Sequence, residues 1–280
     1  MARLFFMLSR WPLALLHPLG SLLGWLAYLL SPAYRQRLNA HARQAGLSRW
    51  QRWQAVAHAG KMVSESPRLW GRPRDLPLGD SVRWVRPEVV DAALAEGRGL
   101  LLLTPHLGCF EITAQAYAER FGAHKPVTAL YRPAKQAWLA ELMKNARNRP
   151  GMLTSPATLS GVRQMLRALK KGETVGLLPD QVPPEGMGVW APFFGRPAYT
   201  MTLAARLAQQ TGAIPVLVWG ERLPWGRGFK LRFHAMPEPL SSELEAAVLQ
   251  INQAMEGLIR QDPSQYLWGY ARYKQPRAEL

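Results

Sequence analysis

Residues 99–111, GLLLLTPHLGCFE, decide how the rest of the chain is read. Four successive leucines leave no polar face, so they predict a strand buried on both sides, as in the interior of a parallel sheet. Pro105 ends the strand's hydrogen bonding, and Gly108 lets the backbone turn tightly. Between them stands His106, with Glu111 five positions on. Histidine is the side chain whose unperturbed pKa lies near neutrality, and a carboxylate on its far nitrogen makes it a competent general base. Positions five apart on a regular helix diverge by roughly 140°. The pair therefore meets only if His106 lies on the loop and Glu111 in the first turn of a following helix. Cys109, the one cysteine, reads as a small buried hydrophobe rather than a nucleophile.

Working outward, apolar strands alternate with helical stretches. Upstream, 35–71 reads as one helical layer, 72–80 as a proline-rich loop, 82–85 as a short strand and 88–96 as a helix stopped by Gly97. Downstream come a helix over 110–121, a strand over 126–132, helices over 135–148 and 156–171, and a third buried strand within ETVGLLPDQ (173–181). The aromatic stretch PFFGRPAYT (192–200) reads as a loop, suited to the wall for an acyl chain or the edge of a lipid-facing cleft. A helix over 200–210 then leads to two strands, 213–223 and 228–237, joined through 224–228, and to an amphipathic helix over 241–261. This alternation predicts an α/β fold: a mixed, largely parallel sheet flanked by helices.

The 35 basic and 19 acidic residues leave a net charge of +16, which calls for polyanionic partners. Its distribution separates nucleic acid from membrane. Residues 1–74 hold a single acid, Glu65, among many arginines, and also the greasiest stretch of the protein. A nucleic-acid arm would be basic without being apolar. Residues 11–30, WPLALLHPLGSLLGWLAYLL, are twenty residues without a formal charge, about the length that crosses a hydrocarbon core of ~30 Å. Pro12, Pro18 and two glycines leave oblique or shallow insertion equally open, and a helix packed on the domain is the soluble alternative. Arginines 35, 37, 43, 49 and 52 follow at once, so the positive-inside tendency puts the main domain in the cytoplasm. The expected organisation is a hydrophobic membrane anchor over 1–33 and a single α/β domain over 34–280.

Polar groups that follow apolar strands nominate the rest of the site: Arg132 after the second strand, Asp180 and Gln181 after the third, and Arg147 and Arg149 at a helix end. A cationic rim beside a His–Glu pair suits an anionic or phosphorylated substrate. The chain has no phosphate-binding glycine loop, no dinucleotide fingerprint and no zinc-type Cys/His spacing. The chemistry left to the pair is removal of a hydroxyl proton for attack on an activated acyl carbon, with an arginine or backbone N–H meeting the oxyanion.

In order along the chain stand the apolar anchor, PHLGCFE, YRP, ARNR, LRALKKGE, LLPDQ, PFFGRPA and QYLWGYARYK. This ordered set resembles the late acyltransferases of lipid A biosynthesis, the lauroyl/myristoyl transferase family, within the glycerolipid acyltransferase superfamily. The His–four residues–acid signature is shared across that superfamily. Its Glu form together with PDQ points to the lipid A branch. The resemblance implies a glycerolipid-acyltransferase-like fold on the cytoplasmic face of a bacterial inner membrane, among anionic lipids. It implies acyl transfer from acyl carrier protein to a hydroxyl of a phosphorylated glycolipid, a lipid A precursor, with neither metal nor other cofactor and no role for nucleic acid. His106 would be the base and Glu111 its orienting carboxylate. Arg147 or Arg149 would lie near the reacting centre, and Asp180 and Gln181 would form the DQ block. An acyltransferase for a glycerophospholipid or another lipid acceptor is the alternative.

Overall fold

A computed structural model describes residues 2–74, 76–131 and 136–278. Helices α1 (Ala2–Leu8), α2 (Leu13–Leu30), α3 (Pro32–Gln44) and α4 (Arg49–Trp70) come first. The α/β portion follows as β1 (Val82–Val85), α5 (Glu88–Ala95), β2 (Leu100–Leu103), α6 (Phe110–Phe121), β3 (Val127–Tyr131), α7 (Ala137–Arg147), β4 (Met152–Pro156), α8 (Leu159–Lys170) and β5 (Thr174–Leu177). It ends with β6 (Gly188–Phe193), β7 (Arg196–Met201), α9 (Leu203–Thr211), β8 (Ile214–Arg222), β9 (Phe229–Ala235) and α10 (Leu244–Gln261).

Seven strands form one sheet in the order β1-β9-β8-β2-β5-β3-β4. Every pairing is parallel except β8 with β9, the hairpin expected from the short 224–228 connection. The largely parallel α/β expectation therefore holds. The four leucines of β2 are all buried, and they divide between two cores. Leu101 and Leu103 join α8, α9 and α10 on one face; Leu100 and Leu102 join α5 and α6 on the other. Each is worth about 1.5–3 kcal/mol of apolar burial, which is why the strand has no polar alternation.

Three local readings change. The 35–71 layer is two helices: Gly46 takes a left-handed φ of 82°, and Ser48 opens α4 with a capping box closed by Gln51. The helix read from 156 begins at Leu159, capped by Thr158, because 152–156 extend as β4 beside β3. The loop read over 192–200 is most of a two-stranded hairpin, β6–β7, outside the main sheet.

Connectivity locates the site. From β2 the chain runs through α6 on one face to β3; from β5 it runs through α9 on the opposite face to β8. Departures to opposite sides open a crevice beyond the carboxyl ends of β2 and β5, where α/β sheets bind ligands.

Candidate active site

β2 and β5 pair in register, Leu103 opposite Leu177, and Thr104 N–H extends the ladder to Leu177 O at 3.1 Å. His106 and Asp180 each stand three residues past that last pair, so the register brings them together above the sheet. Asp180 Oδ1 lies 2.7 Å from His106 Nδ1, and Oδ2 accepts the His106 backbone N–H at 2.8 Å. One carboxylate thus fixes both the ring and the backbone of His106.

Burial alone would push the Asp180 carboxyl up, but the charge and two hydrogen bonds of His106 outweigh it and hold it below the ordinary range. An ionised Asp180 can only accept, so Nδ1 carries a ring proton. Gln181 Nε2 lies 3.0 Å from His106 Nε2, and because an amide nitrogen only donates, Nε2 accepts through its lone pair in this arrangement. The side chain of His106 is 16% exposed against 1% for Asp180, so the pair opens to the crevice through the imidazole.

The loop is held rigidly from behind. Gly108 N–H donates to Gln265 O at 3.0 Å, Cys109 N–H to Gly220 O at 2.8 Å, and Leu267 N–H to His106 O at 3.1 Å. Gly108 has φ 57°, and a Cβ there would collide with Gly220 O, so no other residue fits. Deeper, Arg222 donates to Gly108 O at 3.0 Å and is paired with Glu65, both side chains being 1% exposed. His17 Nε2 reaches the same Glu65 at 2.8 Å.

Glu111 does lie in the first turn of α6, as the spacing required. The structure does not bring its carboxylate to the imidazole of His106, however. Its carboxylate forms an ion pair with Arg147 and accepts from Trp70 Nε1 at 3.2 Å, and Arg147 lies over the Trp70 ring at 5.7 Å. The reason is geometric: the Gly108 turn aims His106 toward β5, whereas the first turn of α6 is flanked by α4 and α7. Glu111 and Arg147 instead line a small open cavity with an otherwise mostly apolar wall that includes Leu102, Phe110, Leu130, Met152 and Leu177. Phe110, which lines that cavity, packs its ring 4.8 Å from that of His106.

Arg149 does not belong to this wall. Its guanidinium is buried and donates to the backbone oxygens of Ala146, Pro73, Leu69 and Arg72, tying α7 to the end of α4. Burial, then the neighbouring Arg72 and Arg74, pull its pKa down to about 10. Arg132 lies outside the described residues. The Cys109 thiol is fully buried, and burial pushes its pKa well up, which suits the hydrophobe reading. Among the described residues, no group of three or more His, Cys, Asp or Glu side chains converges as a metal site would require.

The sequence reading nominated Asp180 as a substrate contact and missed it as the partner of His106. Strand adjacency carries that information, and β2 and β5 lie more than seventy residues apart in sequence. It also missed Trp70, Arg222 and Gln265. Glu65, the single acid of the first 74 residues, was the available signal for a buried ion pair.

The profile of the family described as bacterial lipid A biosynthesis acyltransferase matches residues 53–275, which include the whole crevice. The chain belongs to that family. Among its lipid A acyltransferase relatives is the lipid A biosynthesis lauroyltransferase of Escherichia coli K12, 31% identical over 183 residues, or 64% of this chain and 58% of that protein. The lipid A biosynthesis palmitoleoyltransferase of the same organism is 27% identical over 198 residues, 69% of this chain and 62% of that protein. A lipid A biosynthesis acyltransferase of Haemophilus influenzae is 23% identical over 181 residues, 65% and 55% of the two chains. The chain thus spans about three fifths of the length of these lipid A acyltransferase relatives.

Proposed function

We propose that this protein transfers a fatty acyl chain from acyl carrier protein to a hydroxyl of a phosphorylated lipid A precursor, at the cytoplasmic face of a bacterial inner membrane. The observation that carries the reading is the state of His106. Its Nδ1 is locked by a buried, ionised Asp180, and among the described residues its Nε2 is held only by the replaceable amide of Gln181, beside an apolar cavity.

An acceptor hydroxyl displaces the Gln181 amide and hydrogen-bonds to Nε2. As its oxygen attacks the thioester carbonyl, Nε2 takes the proton, and Asp180 stabilises the imidazolium that forms. Collapse of the tetrahedral intermediate breaks the carbon–sulfur bond, and the imidazolium returns the proton to the leaving thiolate. The cavity wall suits the acyl chain. Arg147, steadied by Glu111 and Trp70, supplies the cation for the oxyanion or a substrate phosphate. Glu111 acts in this scheme through Arg147 rather than on the imidazole. The basic surface suits two acidic partners, the carrier protein and the phosphorylated lipid. Membrane attachment comes from the first 33 residues, and the α/β body beyond them carries the chemistry.

The test uses the purified full chain in phospholipid vesicles with an acyl-carrier-protein thioester. A phosphorylated glucosamine-disaccharide lipid and a lysoglycerophospholipid are offered separately. The expected product is the disaccharide lipid heavier by one acyl group, absent with His106→Ala. Acylation of the glycerol acceptor alone, or undiminished transfer by His106→Ala, overturns the proposal.

A further inference from the structure

Helix α2 is long and apolar enough to cross a bilayer, yet one of its faces is already taken. Gly20 and Gly24 bring its backbone directly onto α4 at Gly60 and Val56, where a Cβ on either would collide with backbone oxygens. Toward its start, buried His17 is bound to buried Glu65; toward its end, Tyr28 accepts from Asn39 Nδ2 at 2.7 Å. The fastening is therefore continuous over most of the helix. α4 is itself tied to the catalytic body, through Trp70 to Glu111 and Glu65 to Arg222. For α2 to cross a membrane, either α4 with Arg52 and Lys61 enters the hydrocarbon, or α2 peels away, taking His17 from the buried Glu65–Arg222 pair and opening the Gly20 and Gly24 contacts with α4.

The other face is free and wholly apolar. Leu15, Leu22, Leu26 and Leu29 form an exposed stripe at helical spacing, and Leu4, Phe6 and Met7 of α1 are exposed as well. At the start of α2 the β8–β9 turn adds one more group. Trp225 is 86% exposed, although its backbone adopts a left-handed φ of 60°, unfavourable for a bulky residue. Gly226 beside it presses against the backbone of Leu13 and Ala14. Among the described residues, nothing accounts for a strained, 86% exposed indole at that point. A bilayer interface accounts for it, because indoles partition to the headgroup level. Exposed cations share this end of the molecule: Arg10 joins α1 to α2, Arg68 donates to Ser9 O at 3.3 Å, and Arg227 follows the turn. They would meet lipid phosphates.

We propose that the enzyme is monotopic: α2 lies in the plane of an anionic bilayer on its leucine stripe, with Trp225 as a second anchor. The inference rests on the membrane-bound reading above but not on the chemistry of the crevice, so its test is read without turnover. Single cysteines replace Leu15, Leu22 and Leu29 in the full chain and carry nitroxide labels, buried Cys109 remaining unlabelled. Depth is measured in vesicles of phosphatidylethanolamine and phosphatidylglycerol. Lying in the plane, the three labels share one shallow depth. Crossing, successive labels differ by about 10 Å, the rise of seven helical residues, and one end reaches the vesicle lumen. That result, or failure to bind vesicles at all, overturns the proposal.

A second measurement isolates Trp225. Trp225→Gly removes the indole and relieves the left-handed strain, so vesicle partitioning falls at least about fivefold while thermal stability holds or rises. Unchanged partitioning removes Trp225 from the anchor. A loss of stability in step with a loss of partitioning would make its role structural.

Discussion

Two acid–base pairs bracket the turn at 106–108, and they are built to opposite specifications. His106–Asp180 stands at the open end of the sheet, with its outer nitrogen held by a neutral amide that a hydroxyl can replace. Glu65–Arg222 stands behind the same loop, with both side chains sealed and the guanidinium also spent on Gly108 O, His58 and Gln265. The first pair keeps one valence for a substrate. The second has none to spare, so its task is architecture: it fixes the carbonyl of Gly108, which turns the loop carrying His106. Saturation of hydrogen-bonding capacity, rather than the presence of charge, separates the proposed reacting pair from the supporting one.

The largest expected effect falls on the open pair. His106→Ala should lower kcat by about 10⁴-fold, near the upper limit of general-base contributions. Asp180→Asn should cost about 10³-fold, because the amide offers Nδ1 a donor as readily as an acceptor and releases the tautomer. Glu111→Gln should act mainly on KM, by freeing Arg147 from its counter-charge. Steady-state kinetics on the three purified variants ranks them. If Glu111→Gln matches Asp180→Asn in kcat with KM unchanged, the assignment of the orienting carboxylate is wrong.

The sealed pair should behave in the converse way. Arg222→Met leaves a buried carboxylate with only His17, a loss of roughly 3–5 kcal/mol. For a chain of this size that lowers Tm by about 10 °C. Replacing both partners, Glu65→Leu with Arg222→Met, should recover most of that stability while turnover stays impaired, since Gly108 O has lost its donor. Calorimetry beside kinetics separates these outcomes. Full recovery of turnover in the double variant would show that the pair supports the fold without positioning the loop.

What the sequence made legible follows from the range over which each interaction acts. The LLLL run, the Pro105 break and the Gly108 turn are local, and they located His106 correctly at the end of a central strand. The helix holding Glu111 was equally local, and its start was read to the residue. Partnership was not local. Whether His106 meets Glu111 or Asp180 depends on β5 lying beside β2, a fact carried by strand order and by no spacing within either segment. The β6–β7 hairpin escaped for another reason. Its turn is Phe194-Gly195, at φ 47° and 74°, and the first of those positions gives no glycine or asparagine signal.

The sealed network also sets an acid limit. Burial first, then the nearby charges of Arg222 and Lys61, depress the His58 imidazole to about 2 from an ordinary 6.5. His58 is therefore neutral in the folded protein across the accessible range and accepts from Arg222. Because the folded value lies below the unfolded one, its contribution is fully present above pH 6.5 and declines as the pH falls toward 2. The slope approaches about 1.4 kcal/mol per pH unit once unfolding takes up that proton. Glu65, also held below its ordinary value, adds a further loss below pH 4.5. Denaturant melts of the wild type and His58→Gln between those limits should show a shallower dependence in the variant. Equal slopes would mean that His58 titrates normally and that the network admits water.

The smallest effect expected is at Gln181, and its sign is the informative part. If the amide merely fills space, Gln181→Ala opens the crevice and leaves kcat unchanged. If it guards the Nε2 lone pair until a hydroxyl arrives, its removal has two opposed consequences. The acceptor no longer displaces a hydrogen bond, which favours binding, while water gains access to the same lone pair. Hydrolysis of the acyl donor without an acceptor should then rise, by a few-fold given the roughly 1 kcal/mol of an exchangeable neutral hydrogen bond. Transfer to the lipid should change by less than that. Thioester cleavage measured in the absence of acceptor reads this directly. A variant with unaltered hydrolysis assigns Gln181 to shape alone and leaves the open pair guarded by the crevice itself.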